Sequence, residues 1–302
     1  MSISIFTVAW MLLAAAPTER VKNPVFDDLI TKGVTMSDGS TFKLPRPLLV
    51  DGLDAAEQRA VLAKLCDART PLRAVLRKSS RAPIVVKIRT LRARQKEEPA
   101  IRSIDFWFVA HGDWDILNSK DFLQSLTKHD EEGQGHIVSK SGILTDEEMA
   151  QRKLTLPQQD GREERFVYTT FSMFDLVELS TTRLAVLVRG RDSVLAAAKI
   201  DPRFDHDRDY PNQWRPLVRN ELAEVHLGPA HPYHWGGGYA KITRLKQPAD
   251  AVMIECHLAY EEPYAWFEGA NLVRQKGPLM VQEQVRTFRR KLAIASANKG
   301  KR

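Results

Sequence analysis

The chain has 302 residues, of which 43% are apolar and 27% charged, and its 45 basic residues outnumber its 38 acidic ones to give a net charge of +7. This composition excludes a collagen, a coiled-coil rod, a wholly disordered chain and a multispan membrane protein. The two cysteines exclude a disulfide framework and a four-cysteine zinc site.

The N-terminus has the pattern of an export signal. An apolar run from Ile3 to Ala16 is too short to span a bilayer but has the length of a signal-peptide core, and Ala14, Ala15 and Ala16 supply small residues for cleavage. No Lys or Arg precedes the run, so a core helix or an interfacial anchor is the alternative. We predict a signal peptide over residues 1–16 and an exported protein, periplasmic or secreted.

Residues 17–52 carry a turn signal and several prolines, and we interpret them as an irregular N-terminal extension. A single α+β domain is predicted for residues 53–302. Asp54 and Glu57 form a capping box that begins its first helix. Thr70 as cap and Pro71 as first helical residue begin a second.

Six strands are predicted from alternating or continuous apolar residues. They cover residues 84–89, 101–110, 166–174, 183–189, 239–246 and 251–260. Residues 194–200 fit either a helix or a strand. Two long stretches interrupt the strands: a polar excursion at 128–164 and a connection at 201–238 that contains proline and tryptophan.

A long amphipathic helix is predicted to close the chain from Pro278 to Ile294, with Gly277 as its cap. Its apolar stripe has helical spacing and consists of Val281, Val285, Phe288 and Leu292. These elements predict an α+β fold with a mostly antiparallel sheet of about six strands.

Two resemblances accompany this pattern. The order of elements over residues 70–295 resembles that of START-like helix-grip proteins, which implies a sheet curled around the last helix with a cavity between them. The segments GLDAAEQRAVL, DFWFVAHGDWD, YPNQWRPL and HPYHWGGGYAKI are similar to an uncharacterised family of exported bacterial proteins of the planctomycete type. That second resemblance implies no activity.

Positive charge is concentrated in two segments. Residues 69–102 hold eleven basic and two acidic residues, and residues 274–302 hold nine basic and one acidic residue. Such segments are either solvated surfaces or contacts for an anionic membrane surface. We do not expect nucleic acid as a partner, because no interleaved aromatic platform accompanies the charge. The residues predicted for surface binding are Arg73, Arg77, Lys78 and Arg81.

Few residues suggest catalysis. Asp205, Asp207 and Asp209 have the spacing that begins a calcium loop, but the loop's glycine and distal glutamate are missing. A hydrolase or metal enzyme would draw on four residues: His231, His234, Glu255 and His257. Glu255 and His257 share one strand face, which also fits a structural pair. We therefore predict no catalytic residues, metal or cofactor.

The glycines at 236–238 and the aromatic residues around them fit the mouth of a pocket. The residues predicted for ligand binding are Trp107, Trp214, Trp235 and Tyr239. We expect an exported binding protein for an apolar or amphipathic small molecule or lipid that rests on an anionic envelope surface. A protein-interaction module without a cavity is the alternative outside enzymes. Cys66 and Cys256 either pair or serve as small buried residues.

Overall fold

The structure is a computed structural model that describes residues 22–37, 39–91, 99–117, 119, 122, 140–157, 159, 161–222, 224–268 and 270–299. The predicted signal peptide lies outside these residues, as do residues 128–139, 158 and 160 of the polar excursion. Within them, no helix has both the length and the apolar character needed to cross a membrane.

The described residues form helices and mostly long strands. The helices are α1 (Pro24–Thr31), α2 (Ala55–Leu65), α3 (Leu72–Val75), α4 (Trp114–Leu117), α5 (Asp146–Gln151), α6 (Tyr264–Phe267) and α7 (Leu272–Lys299). The strands are β1 (Val34–Thr35), β2 (Thr41–Phe42), β3 (Val85–Leu91), β4 (Ala100–His111), β5 (Lys140–Ile143), β6 (Arg162–Met173), β7 (Val177–Arg189), β8 (Ser193–Ile200), β9 (Gln213–Arg219), β10 (Val225–Leu227), β11 (His231–Pro232), β12 (Gly236–Arg244) and β13 (Ala251–Glu262).

One antiparallel sheet dominates the fold. Its strands follow the order β10-β9-β7-β8-β12-β13-β4-β3, while β11 pairs with β9, and β6 pairs with β5 and β7. The pair β1 and β2 forms a separate two-stranded sheet. The predicted fold class is confirmed: a large antiparallel sheet with several helices, including a long C-terminal one.

The described part of the main sheet has eleven strands rather than about six. Residues 194–200 lie in the strand β8, and the predicted connection at 201–238 contains β9, β10 and β11. These last three are short or carry proline, so their alternation is too brief to distinguish from a loop in the sequence.

The N-terminal elements follow local capping rules. The capping box of Asp54 and Glu57 is confirmed at the start of α2. Residues 17–52 contain regular structure that we did not predict, because Asn23 caps α1 and Pro24 occupies its first turn. Thr70 is not the cap of α3, which begins one residue after Pro71 and has no side-chain cap.

The C-terminal helix α7 begins at Leu272, so Gly277 and Pro278 lie inside it rather than at its start. Gly277 has no Cβ to clash with the Pro278 ring, which lets the helix pass through this position. The predicted apolar stripe is confirmed as buried, and Phe288 is 1% exposed. This stripe packs against β3 and β4.

Helices cover both faces of the sheet. The inner face packs against α7. The outer face packs against α1 near β7, β8 and β12, and against α2 near the start of β13. Because both faces of the central strands are covered, long stretches of them are buried.

Candidate functional site

A cavity lies between the first half of α7 and the inner face of the sheet. Its volume is about 180 Å³. The helix contributes Val273, Gly277, Met280 and Val281 to the lining, and the sheet contributes mainly apolar or small residues. An apolar cavity of this kind is a default candidate for a small-molecule site.

Small residues on two neighbouring strands open this space. Ala196 lies opposite Ala240 and Ala198 lies opposite Gly238, all across β8 and β12. A Cβ at Gly238 would lie 2.7 Å from the carbonyl oxygen of His257, so only glycine permits this close approach of β12 and β13. The side chains facing α7 here are therefore too short to reach it.

The lining also carries a few polar groups. Arg183 on β7 is half-buried and lines the cavity near Thr181 and Tyr233. Burial lowers the pKa of Arg183 to about 10, partly offset by Tyr233, so the guanidinium remains charged at neutral pH. Burial raises the pKa of Tyr260 far above its ordinary value. We did not identify Arg183 from the sequence.

The aromatic residues predicted for ligand binding do not lie together. Trp214 packs in the core and stacks on His231 with ring centroids 4.4 Å apart. Trp235 is half-buried beside α1. Trp107 packs among the outer-face residues near α2. Among the four, Tyr239 alone belongs to the described lining.

The side chain of Tyr239 nevertheless lies on the outer face. Its ring packs edge-on against Phe26 of α1 at 4.9 Å, and its hydroxyl donates to the carbonyl oxygen of Pro45. Tyr239 therefore meets the cavity through its backbone.

A buried charged cluster lies on the outer face. Its His257 also belongs to the cavity lining, which it meets through its backbone because side chains alternate along β13. His257 Nδ1 is 2.8 Å from Asp105 Oδ1, and His257 Nε2 is 3.8 Å from Glu255 Oε2. The Glu255 carboxylate also accepts hydrogen bonds from the backbone N–H groups of Leu48 and Leu49. Burial alone would lower the pKa of His257, but the two carboxylates outweigh it and raise the pKa above its ordinary value.

The remaining candidate catalytic residues contact other partners. His234 Nδ1 is 2.8 Å from Asp205 Oδ2, whereas His231 is exposed on β11. Asp207 and Asp209 both pair with Arg152. In the described ranges no three His, Cys, Asp or Glu side chains are grouped to hold a metal ion.

The four predicted surface-binding residues are all exposed on α3 and the turn after it. Lys78 forms an exposed ion pair, with its Nζ 2.9 Å from Asp250 Oδ2. Cys66 and Cys256 are free thiols, the first at the end of α2 and the second in the cavity lining.

No family model matches the chain, and no curated protein matches it. Among solved structures, the crystal structure of human STARD10 is similar to it at 9% sequence identity and a TM-score of 0.34, covering 81% of this chain and 84% of that one.

Proposed function

We propose that this protein binds a small apolar or amphipathic molecule in the cavity between α7 and the inner face of the sheet. The observation that carries the proposal is the cavity itself, which has a volume of about 180 Å³. It exists because the small residues of β8 and β12 do not reach the first half of α7. Atoms that line an empty cavity lack dispersion contacts on one side, and a bound ligand of matching shape would provide these contacts.

The volume limits the size of the ligand. A protein cavity of about 150 Å³ lined by apolar side chains stays dry and binds benzene. A cavity of about 180 Å³ therefore fits a molecule of roughly six to nine non-hydrogen atoms. A lipid with two long acyl chains requires α7 to move away from the sheet.

Calorimetric titration with 1-hexanol tests the proposal. Six buried carbons at about 0.8 kcal/mol each contribute roughly 5 kcal/mol, which corresponds to a Kd on the order of 0.1–1 mM. Saturable binding with one site per chain supports the proposal. Heats no larger than those of dilution across that range contradict it. Extraction of the gently purified protein with organic solvent, followed by mass spectrometry, then identifies the natural ligand.

The proposal includes a membrane surface as partner. Arg73, Arg77, Lys78 and Arg81 are exposed on one short segment, and each basic residue near an anionic membrane contributes about 1 kcal/mol. We expect sedimentation with vesicles containing phosphatidylglycerol, but not with pure phosphatidylcholine, and loss of sedimentation when Arg73, Arg77 and Arg81 become Glu. Equal sedimentation of the triple variant would contradict this part.

Export completes the proposal. It is supported by the apolar run that ends at Ala16, which lies outside the described residues. The intact mass of the protein from the periplasm or medium should show removal of the first sixteen residues. An intact mass that still includes them would contradict export.

A further inference from the structure

The half-buried Arg183 lacks the partners that the buried arginines near the inner face have. Arg102 forms a buried pair with Glu262, with Nε 2.8 Å from Oε2. Arg189, on the same strand as Arg183, pairs with Glu163. Arg289 donates to backbone carbonyls, including that of Val109 at 2.9 Å.

Arg183 has no such partner among the residues that the structure describes. Its Nε has no hydrogen-bond acceptor, and no carboxylate forms an ion pair with its guanidinium. A guanidinium nitrogen that is shielded from solvent and has no acceptor is costly, and the cost falls when an opposite charge is placed beside it. An anion in the cavity would supply that charge.

The position of Arg183 also determines how a bound molecule would be oriented in the cavity. Arg183 lies opposite Ile200 on the neighbouring strand, and it shares its part of the cavity with Tyr233. The wall formed by Ile104, Cys256 and Val281 is apolar. A ligand would therefore place an acidic head at Arg183 and its apolar part toward this wall.

A single arginine favours a carboxylate over a phosphate as the acidic group of the ligand. One guanidinium matches one carboxylate through two parallel hydrogen bonds. A phosphate monoester carries about −1.5 to −2 charges at neutral pH and would remain under-neutralised in this lining. Resting on the proposed function, we infer that the cavity takes a small monocarboxylic acid whose carboxylate pairs with Arg183.

Three six-carbon probes of nearly equal size test this inference: hexanoate, 1-hexanol and hexylammonium. Each is titrated into the full chain by calorimetry at pH 7 and about 150 mM NaCl, where long-range attraction by the net positive charge is screened. We expect hexanoate to bind at least ten-fold more tightly than 1-hexanol, and hexylammonium to show no binding. Butyl phosphate, which is close to hexanoate in size, should bind more weakly than hexanoate.

Variants assign the preference to one side chain. Arg183→Met removes the guanidinium but keeps an unbranched side chain, and it should weaken hexanoate binding at least ten-fold while changing 1-hexanol binding less than about two-fold. Arg219→Met removes one exposed positive charge from β9 and should change neither. If Arg183→Met does not fold, the comparison of probes on the unmodified chain still decides the inference.

The outcomes separate the two proposals. Equal affinity for hexanoate and 1-hexanol overturns the carboxylate inference and leaves the proposed function standing. A preference that survives in folded Arg183→Met overturns the role of Arg183. Tighter binding of butyl phosphate than of hexanoate overturns the choice of carboxylate. Absence of binding by all the probes overturns the proposed function itself.

Discussion

Ala196 and Ala240 lie opposite each other on β8 and β12, and both belong to the core that faces α7. Two methyl groups occupy a place where larger side chains would meet the helix. Their small size is what leaves the cavity open.

Ala240→Leu should fill the cavity. Three added carbons bring up to about 2 kcal/mol of burial, so we expect the free energy of unfolding to stay equal or rise, and 1-hexanol binding to disappear. Denaturant unfolding and calorimetry measure the two effects. Ala197→Leu is the matched control, because Ala197 packs in the filled outer face; overpacking there should cost about 1–3 kcal/mol. Equal destabilisation by both variants would contradict an open cavity.

Phe288→Asp should unfold the protein. Phe288 is 1% exposed and packs edge-on against Phe108 at 5.6 Å. Loss of such a ring costs about 3–5 kcal/mol, and the unpaired carboxylate adds to this, which approaches the stability of a whole domain. Circular dichroism at 25 °C should show loss of folded structure. Ile294→Asp, at a site 63% exposed on the same helix, should leave the melting curve nearly unchanged.

Arg289→Met should weaken the attachment of α7 to the sheet. The guanidinium donates to the carbonyl oxygens of Val109 and Ala82, at 2.9 and 2.5 Å. Each buried carbonyl left without a donor costs about 1–3 kcal/mol, so the loss of donors to these two carbonyls should lower the free energy of unfolding by roughly 2–6 kcal/mol. The neighbouring Arg290→Met removes an exposed pair with Glu283 and should cost less than about 1 kcal/mol. Similar losses of stability in both variants would contradict a role for Arg289 in attaching α7 to the sheet.

The His257 cluster should make stability depend on pH. The pKa of His257 is raised in the fold by Asp105 and Glu255, so protonation stabilises the folded state. This contribution is complete below the unfolded pKa of about 6.5 and is lost as pH rises through the higher folded value. Urea unfolding from pH 6 upward should therefore show falling stability. In His257→Gln this decline should flatten; an unchanged profile would mean that another group titrates.

Much of the fold was predictable because its signals are local. The capping box at Asp54 and the stripe through Phe288 depend on spacing within one helix. The start of α7 was not predictable, because Gly277 and Pro278 are typical of a helix start yet are accommodated within this helix.

Most of the candidate site could not be predicted from the sequence. Alternation places Arg183 on one face with Ala185 and Leu187, but both faces of the sheet are covered. Whether a buried arginine has a partner depends on distant residues, as with Arg102 and Glu262, 160 positions apart. Aromatic residues near glycines suggested a pocket, whereas the cavity arises from the short side chains of Ala196 and Ala240. The space they leave becomes visible only when the sheet is assembled against α7.

Methyl NMR of the full chain during titration with 1-hexanol locates the ligand. Binding in the cavity predicts saturable shifts of the methyl groups of Ile104, Met280 and Val281, which line it. The methyl signals of Leu222, which is 79% exposed, should not shift. Shifts confined to exposed methyl groups, or none that saturate, would contradict a ligand site between the sheet and α7.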